Sequence, residues 1–424
     1  MSASFQRPAW IVNSNIYEVN LRQYTPEGSL DAFAREMPRL KDMGIDILWF
    51  MPLTPISQQG RKGTLGSYYA CSDYRSVNPE FGKMEDFKEL VRKAHELGMR
   101  VIIDWVANHT GWDHHWTRQN PDYYRKNQDG QFYDLHGWED VIDLNYDNPA
   151  MRRAMIDAMA YWLKECDIDG YRCDMAMLVP LDFWKEARRE LDKLKPELFW
   201  LAECEEIAYH EAFDATYTWK FLHKMEAVWK RESGLDGLDE VLYYYSSQFP
   251  PDAIRVYFTS NHDENSHSGS EYERMGQAAR AFAVICATLY GMPMIYSGQE
   301  LPNQKRLLFF EKDCIPWTGR YELHGFYKAL LECRTRNPAL RGGDPAAATR
   351  RIVTGDKRRC FGFVRSLSPN EVVVLTNISG EPLTVPAADV QVAGFFRDIF
   401  TGAEFRGEGV IEIEPWGYKV LERQ

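Results

Sequence analysis

Gly170-Tyr171-Arg172-Cys173-Asp174 sets an arginine two residues before an aspartate, directly after Asp167-Ile168-Asp169. On a strand, alternation puts Arg172 and Asp174 on one face. A cation beside a carboxylate keeps it ionised and orients it, which a carboxylate nucleophile needs. By itself the pair could be an ordinary ion pair. Other strand-like runs, however, close in the same way. Asp104-Trp-Val-Ala-Asn108-His109 ends one, Glu203 ends Trp200-Leu-Ala, and Asn261-His262-Asp263 ends a third. Surface ion pairs favour helix faces, whereas these carboxylates follow apolar strands. Paired carboxylates with no nucleophilic Ser or Cys context and no metal motif point to glycosyl transfer chemistry. One carboxylate attacks the anomeric carbon while a second, of raised pKa, protonates the leaving oxygen and later activates water. Retention needs them about 5–5.5 Å apart, and neighbouring barrel strands at about 4.8 Å supply that. Asp174 with its arginine reads as the nucleophile. Glu203, with no cation adjacent in sequence, reads as the general acid/base.

These carboxylates need a frame of alternating strands and helices. Apolar runs over Asn15–Asn20, Ile45–Met51, Met99–Trp105, Ile168–Asp174, Leu198–Glu203, Ala212–Tyr217, Ile254–Asn261 and Pro293–Ser297 read as strands. Helical spacing covers Leu30–Met43, Met84–Leu97, Pro149–Glu165, Pro180–Leu194, Phe221–Glu232, Met275–Tyr290 and His324–Arg336. Eight strands, seven of them followed by a helical stretch, predict a (β/α)8 barrel, whose catalytic groups sit at the C-terminal strand ends. An open doubly wound sheet would carry a Gly-rich phosphate turn after its first strand, where this chain has Leu21-Arg22-Gln23-Tyr24. The barrel is expected over 1–104 and 149–340. A segment over 105–148, rich in Trp, Tyr and His, is an outsized loop expected to be a small inserted domain beside the barrel mouth. Asn337–Arg350 reads as a linker, and residues 341–424 as an antiparallel β-sandwich.

Among 424 residues, 50 basic and 62 acidic side chains give a net charge of −12, with 13 Trp and 23 Tyr. An acidic chain without a basic run is a poor partner for nucleic acid or an anionic membrane and suits a neutral substrate. The aromatic load suits a groove that stacks on flat, amphipathic ligands. No apolar run is long enough to span a membrane, and no apolar leader follows Met1, so a cytoplasmic location is expected. Eight cysteines without a C-x-x-C pair read as buried free thiols in a reducing compartment. His114-His115 with His109 lacks an H-E-x-x-H pattern, so hydrogen-bonding histidines are expected rather than zinc ligands. Trp112, Trp116, Trp138, Tyr217 and Trp219 are candidates for sugar contacts.

The four strand-end motifs, Asp104…His109, Gly170…Asp174, Glu203 and Phe258…Asp263, resemble in order those of the α-amylase family of glycoside hydrolases. The likeness extends to Gly44…Pro52 and to Gly291-Met-Pro-Met-Ile-Tyr-Ser-Gly-Gln-Glu300. It implies a TIM barrel with a B domain after the third strand and a C-terminal sandwich. It implies Asp174 as nucleophile, Glu203 as acid/base and Asp263 as the carboxylate that binds the −1 sugar and stabilises the oxocarbenium-like state. Arg172, His109 and His262 are implied at the −1 subsite, Asp104 as the carboxylate steadying Arg172, Tyr69 as the platform under that sugar, and Arg306 as a further substrate contact. The expected substrate is starch or a maltooligosaccharide, cleaved at α-1,4 bonds. An α-glucosidase or transglycosylase on short α-glucosides and a non-catalytic carbohydrate-binding scaffold are the alternatives. No cofactor is required by this chemistry; Asn108 is implied as a ligand where family members hold Ca2+. Many endo-acting members carry Lys-His three and four residues after the nucleophile, where this chain has Met177 and Leu178. Asp143-Leu144-Asn145 resembles the pattern of oligosaccharide-acting members.

Overall fold

The computed structural model describes residues 5–424. Eight parallel strands close a barrel: β1 (Ile16–Val19), β2 (Ile47–Phe50), β3 (Arg100–Trp105), β6 (Gly170–Cys173), β7 (Phe199–Ala202), β8 (Ala215–Tyr217), β9 (Ile254–Tyr257) and β10 (Met292–Tyr296). β1 pairs with both β2 and β10, so no edge is left open. The strands are continuous apolar runs because helices cover them outside and side chains fill the lumen inside. Trp49, Trp105 and Trp200 are fully buried among them.

Between β3 and β6 the chain makes a short antiparallel hairpin, β4 (His109–Gly111) and β5 (Val141–Asp143), with His109 opposite Asp143. Asn148 then starts the helix Pro149–Cys166, its side chain accepting from the N–H groups of Ala150 and Met151, as an N-cap does. The C-terminal unit is a six-stranded antiparallel sheet and a two-stranded ribbon. Val364, Val373 and Leu375 of the sheet and Val385, Ile411 and Ile413 of the ribbon share one core, so the two layers form the expected sandwich.

Several local expectations fail for identifiable reasons. Leu30–Met43 is two helices, Leu30–Ala34 and Met37–Asp42. Pro38 has no N–H for the Ala34 carbonyl, and the helix breaks there. The helix expected from Met275 begins at Ala279, after a turn at Gly276 whose φ is +52°. The linker expected over Asn337–Arg350 contains buried Ala339 and Leu340 and the start of a strand, Ala348–Ile352, paired with Cys360–Leu367. A helix over Asp236–Gln248 has no counterpart in the expectations. All eight cysteines are free, seven of them buried. No helix among the described residues is long and apolar enough to cross a membrane.

Candidate active site

Strand register assembles the site. β3 and β6 pair with Asp104 opposite Arg172, and β6 and β7 with Cys173 opposite Ala202. The next residues along, Asp174 and Glu203, therefore emerge side by side at the C-terminal mouth. The ladder continues through them: the Asp174 N–H donates to Trp105 O (3.1 Å) and the Glu203 N–H to Cys173 O (3.0 Å).

Arg172, with no exposed surface, joins three strands. Its Nη1 donates to both Asp104 oxygens and to Asp174 Oδ1, each at 3.0 Å. Its Nη2 lies 2.7 Å from Glu203 Oε2, a charge contact outside the hydrogen-bonding direction, since that nitrogen has no hydrogen-bond partner. The guanidinium sits over Trp49, 4.8 Å from the ring centroid, and its Nε donates to the Tyr217 hydroxyl at 3.3 Å. Tyr217 thus lies behind the site and is buried, which removes it from the candidate sugar contacts. No cation adjoins Glu203 in sequence, but the fold sets Arg172 against both carboxylates.

Glu203 differs from Asp174 in its second partner. The Met175 N–H donates to Glu203 Oε2 at 2.9 Å. Met175 takes a left-handed backbone (φ 39°, ψ 48°) to do so, a conformation that costs a non-glycine residue about 1–2 kcal/mol. Among the described residues no protein hydrogen bond reaches Asp174 Oδ2 or Glu203 Oε1, so each carboxylate keeps one oxygen for a substrate.

The electrostatics separate the three acids. Burial pushes Glu203 up to about 7, with Arg172 opposing and Asp174 and Asp263 adding to the rise. Burial also raises Asp174, to about 6, against the pull of Arg172. Desolvation would raise Asp263 too, but His262, Arg172 and His267 outweigh it and hold the carboxyl near about 2. Asp263 is the most accessible of the three, its side chain 41% exposed against 9% for Asp174 and 6% for Glu203. His262 is buried, which disfavours its charge, yet Asp263 and Glu18 keep it protonated. Its Nδ1 meets the buried Glu18, and its Nε2 lies 3.1 Å from Asp263 Oδ2 and 2.7 Å from the Tyr69 hydroxyl. Tyr69 stacks on the His262 ring at 5.4 Å and donates to Asp104 Oδ2 at 3.2 Å. Tyr68 turns away, bonding Asn20. His109 is driven down to about 4 by burial. Its Nδ1 takes the Asn108 amide at 3.2 Å, which leaves the ring proton on Nε2.

Asp174, Glu203, Asp263, Tyr69 and His109 line one cleft of about 240 Å³ with Lys62, Trp138, Asp140, Met175 and Phe310. Arg172, Asp104 and His262 stand directly behind it. Arg306 is not brought there: its guanidinium is held by Glu273 at 3.0 and 3.1 Å, and it does not line the cleft. Of the three tryptophans of the inserted segment, Trp138 reaches the cleft, edge-on to His109. Trp112 bonds Glu139 O and Trp116 is buried near Tyr74. Trp219 packs on Phe258 and Tyr217. Sequence reasoning missed Glu18, Trp49, Met175 and the Lys62–Asp140 pair (3.3 Å). Alternation within the first strand was the available signal for Glu18.

Asn108 is buried between His109 and Asp143. The Asn108 amide is spent on His109 and on Asp143 Oδ1 (3.4 Å), and Asp143 Oδ2 accepts from the Leu135 N–H. No group of three or more His, Cys, Asp or Glu among the described residues is placed to hold a metal. His114 stacks on His115 and is kept neutral by burial, its Nδ1 accepting from the Trp116 N–H.

A family model described as the α-amylase catalytic domain matches residues 8–135 and 122–310. The chain belongs to the α-amylase family. It is 28% identical over 97% of its length to an α-amylase of Haloarcula japonica, and spans 62% of that relative. It superposes with a TM-score of 0.88 on an α-amylase from Lactobacillus plantarum, 29% identical, covering 98% of this chain and 99% of that one. A maltogenic α-amylase from Thermotoga neapolitana gives 0.89 at 27% identity, covering 97% and 99%. The protein is therefore a glycoside hydrolase of this family.

The pKa order sets a pH profile. kcat/KM is expected to fall below about pH 6 as Asp174 takes a proton and above about pH 7 as Glu203 loses its own, the two limbs of a bell. Initial rates at subsaturating oligosaccharide check this; a flat profile from pH 5 to 8 would remove the acid and base assignments. Stability carries the same signature. Folded Glu203 keeps its proton up to about 7, against 4.5 for the free side chain. Between those values the native state binds more protons, so this group's contribution destabilises increasingly as pH rises. Glu203→Gln is expected to lose turnover and keep oligosaccharide binding, yet to melt on the order of 1–3 °C higher than the parent at pH 8. Equal melting at pH 8 would remove the charge argument.

Proposed function

We propose that the protein hydrolyses α-1,4-glucosidic bonds of maltooligosaccharides or starch by double displacement, with retention. The observation that carries this reading is the register-locked pair in which Asp174 Oδ2 and Glu203 Oε1 are both left free of protein partners while their other oxygens are held by Arg172 and the Met175 N–H. Asp174 Oδ2 attacks the anomeric carbon as Glu203 protonates the glycosidic oxygen. Glu203, now a carboxylate, takes a proton from water, and that water displaces Asp174 from the sugar. Asp263, ionised and open to the cleft, accepts hydroxyl hydrogen bonds from the same sugar and opposes its developing positive charge. His109 donates from Nε2, and Tyr69 supplies the flat face beneath the ring. Lys62, Trp138 and Phe310 narrow the entrance.

Short chains are the favoured substrates. A cleft of about 240 Å³ lies below the roughly 300 Å³ at which drug-sized ligand sites begin, and Met177 and Leu178 lie just beyond Asp174 in place of charged residues. The maltogenic label of the Thermotoga neapolitana relative supports the same choice. Eight unpaired cysteines favour a reducing compartment, which we propose as the site of action.

Product chromatography on maltoheptaose, with NMR of the first-formed anomer, tests the reading. Shorter maltooligosaccharides released as α-anomers are expected. First-formed β-anomers would overturn retention, and no cleavage would overturn the substrate class. A ladder of longer products would replace hydrolysis by transfer, and glucose alone would indicate exo-action.

A further inference from the structure

The largest cavity described, about 1220 Å³, is remote from the catalytic carboxylates. It runs between the barrel flank, with Trp229, Tyr272 and Gln277, and the C-terminal sandwich, with Glu414, Trp416 and Lys419; Gln304 lines it as well. Trp229 and Trp416 meet edge-to-face, 5.2 Å between centroids. A second groove of about 650 Å³ is also lined by both tryptophans. Neither indole N–H donates to a protein group among the described residues. The Tyr272 hydroxyl, too, is without a hydrogen-bond partner.

Two backbone features hold this pair in place. Trp416 has a φ of +58°, a region that bulky residues rarely enter. Such a backbone at a half-buried tryptophan that lines a groove invites a functional account. Gly276 has a φ of +52°, and a Cβ there would lie 1.9 Å from the Trp229 ring; the chain gives up a side chain to seat the indole against its backbone. The charges around the groove balance, Glu412 and Glu414 against Arg280 and Lys419. Aromatic faces, free amide and indole donors and no net charge suit a neutral polyhydroxylated ligand, not an anion or an apolar helix.

The groove also communicates with the catalytic cleft through one loop. Gln304 borders the groove, and Phe310, six residues on, lines the cleft. Between them, Lys305 O accepts from the Asn265 amide at 3.1 Å and the Leu307 N–H donates to Asn265 Oδ1 at 3.0 Å. Asn265 lies two residues after Asp263.

We infer that the Trp229–Trp416 groove is a second binding site for maltooligosaccharides, separate from the catalytic cleft. This rests on the substrate class proposed above. The test is equilibrium titration of the full-length Glu203→Gln protein with maltoheptaose, which reports the number of sites. About two sites per chain are expected, falling to about one on adding Trp416→Ala, while Tyr69→Ala weakens the other site. One site that is insensitive to Trp416→Ala but weakened by Tyr69→Ala overturns the second site and leaves the cleft reading intact; the two tryptophans are then interdomain packing alone. No binding at all overturns both. Should Trp416→Ala unfold, Gln277→Ala with Gln304→Ala is read in its place, on the same two outcomes.

Discussion

Asp174→Asn is expected to lower kcat on maltoheptaose by at least about 10⁴-fold, the scale on which enzymes lose rate with their nucleophile. An amide oxygen carries no charge to attack the anomeric carbon, and an amide cannot leave as a carboxylate in the second step. At 1.36 kcal/mol per tenfold, this is about 5.5 kcal/mol of transition-state stabilisation. The fold should survive the change. Asn Oδ1 can still accept from Arg172 Nη1, as Asp174 Oδ1 does at 3.0 Å, and loss of one of three buried negative charges relieves repulsion. Turnover numbers alongside a melting curve decide the matter: wild-type hydrolysis by Asp174→Asn would sink the nucleophile assignment. An inactive protein that is also unfolded would sink the account of its hydrogen bond.

Arg172→Met is the second large effect, and it falls on stability as well as rate. The arginine is the one guanidinium that touches Asp104, Asp174 and Glu203, and all three face it from a buried position. Removing one partner of a buried ion pair costs about 3–5 kcal/mol, because the charges left behind lose their compensation. The orphaned carboxyls would take up protons to escape that cost, so the loss should be greatest above neutrality and smaller near pH 5. Denaturant midpoints at pH 5 and pH 8 read this directly; the same loss at both would exclude the charge account. Activity should disappear as well, since a protonated Asp174 is no nucleophile. Arg172→Lys should recover part of the stability, as it restores the charge but not the planar fork that reaches three strands at once.

The gathering of the acidic residues was legible because barrel strands end at one mouth, and strand ends are visible as apolar runs that stop at a polar residue. Asp174, Glu203, Asp263, Asp104, His109 and His262 come together as that logic requires. Glu18 was not found because it lies within its run, and its contact exists only once the barrel closes and brings in His262 from 244 residues further along the chain. Met175 escaped for a similar reason: nothing in its side chain announces that its backbone N–H will hold Glu203. Arg306 failed in the other direction. It follows the eighth strand closely, but Glu273 captures its guanidinium, a competitor that spacing in sequence does not reveal. Local structure failed where tertiary packing decided it, as at Gly276, where an indole from another helix occupies the space a side chain would need.

Three acids gathered around one guanidinium have a consequence for descent. Each carboxylate is kept against its own solvation preference, and burial raises both Asp174 and Glu203. A descendant that exchanges either for its amide is expected to lose hydrolysis and, where the relief of burial outweighs the lost contact with Arg172, to gain stability in the same step. Selection for hydrolysis is then what holds this lineage uphill. Where that selection lapses, the slope leads to a sugar-binding protein with the same barrel and a higher melting temperature.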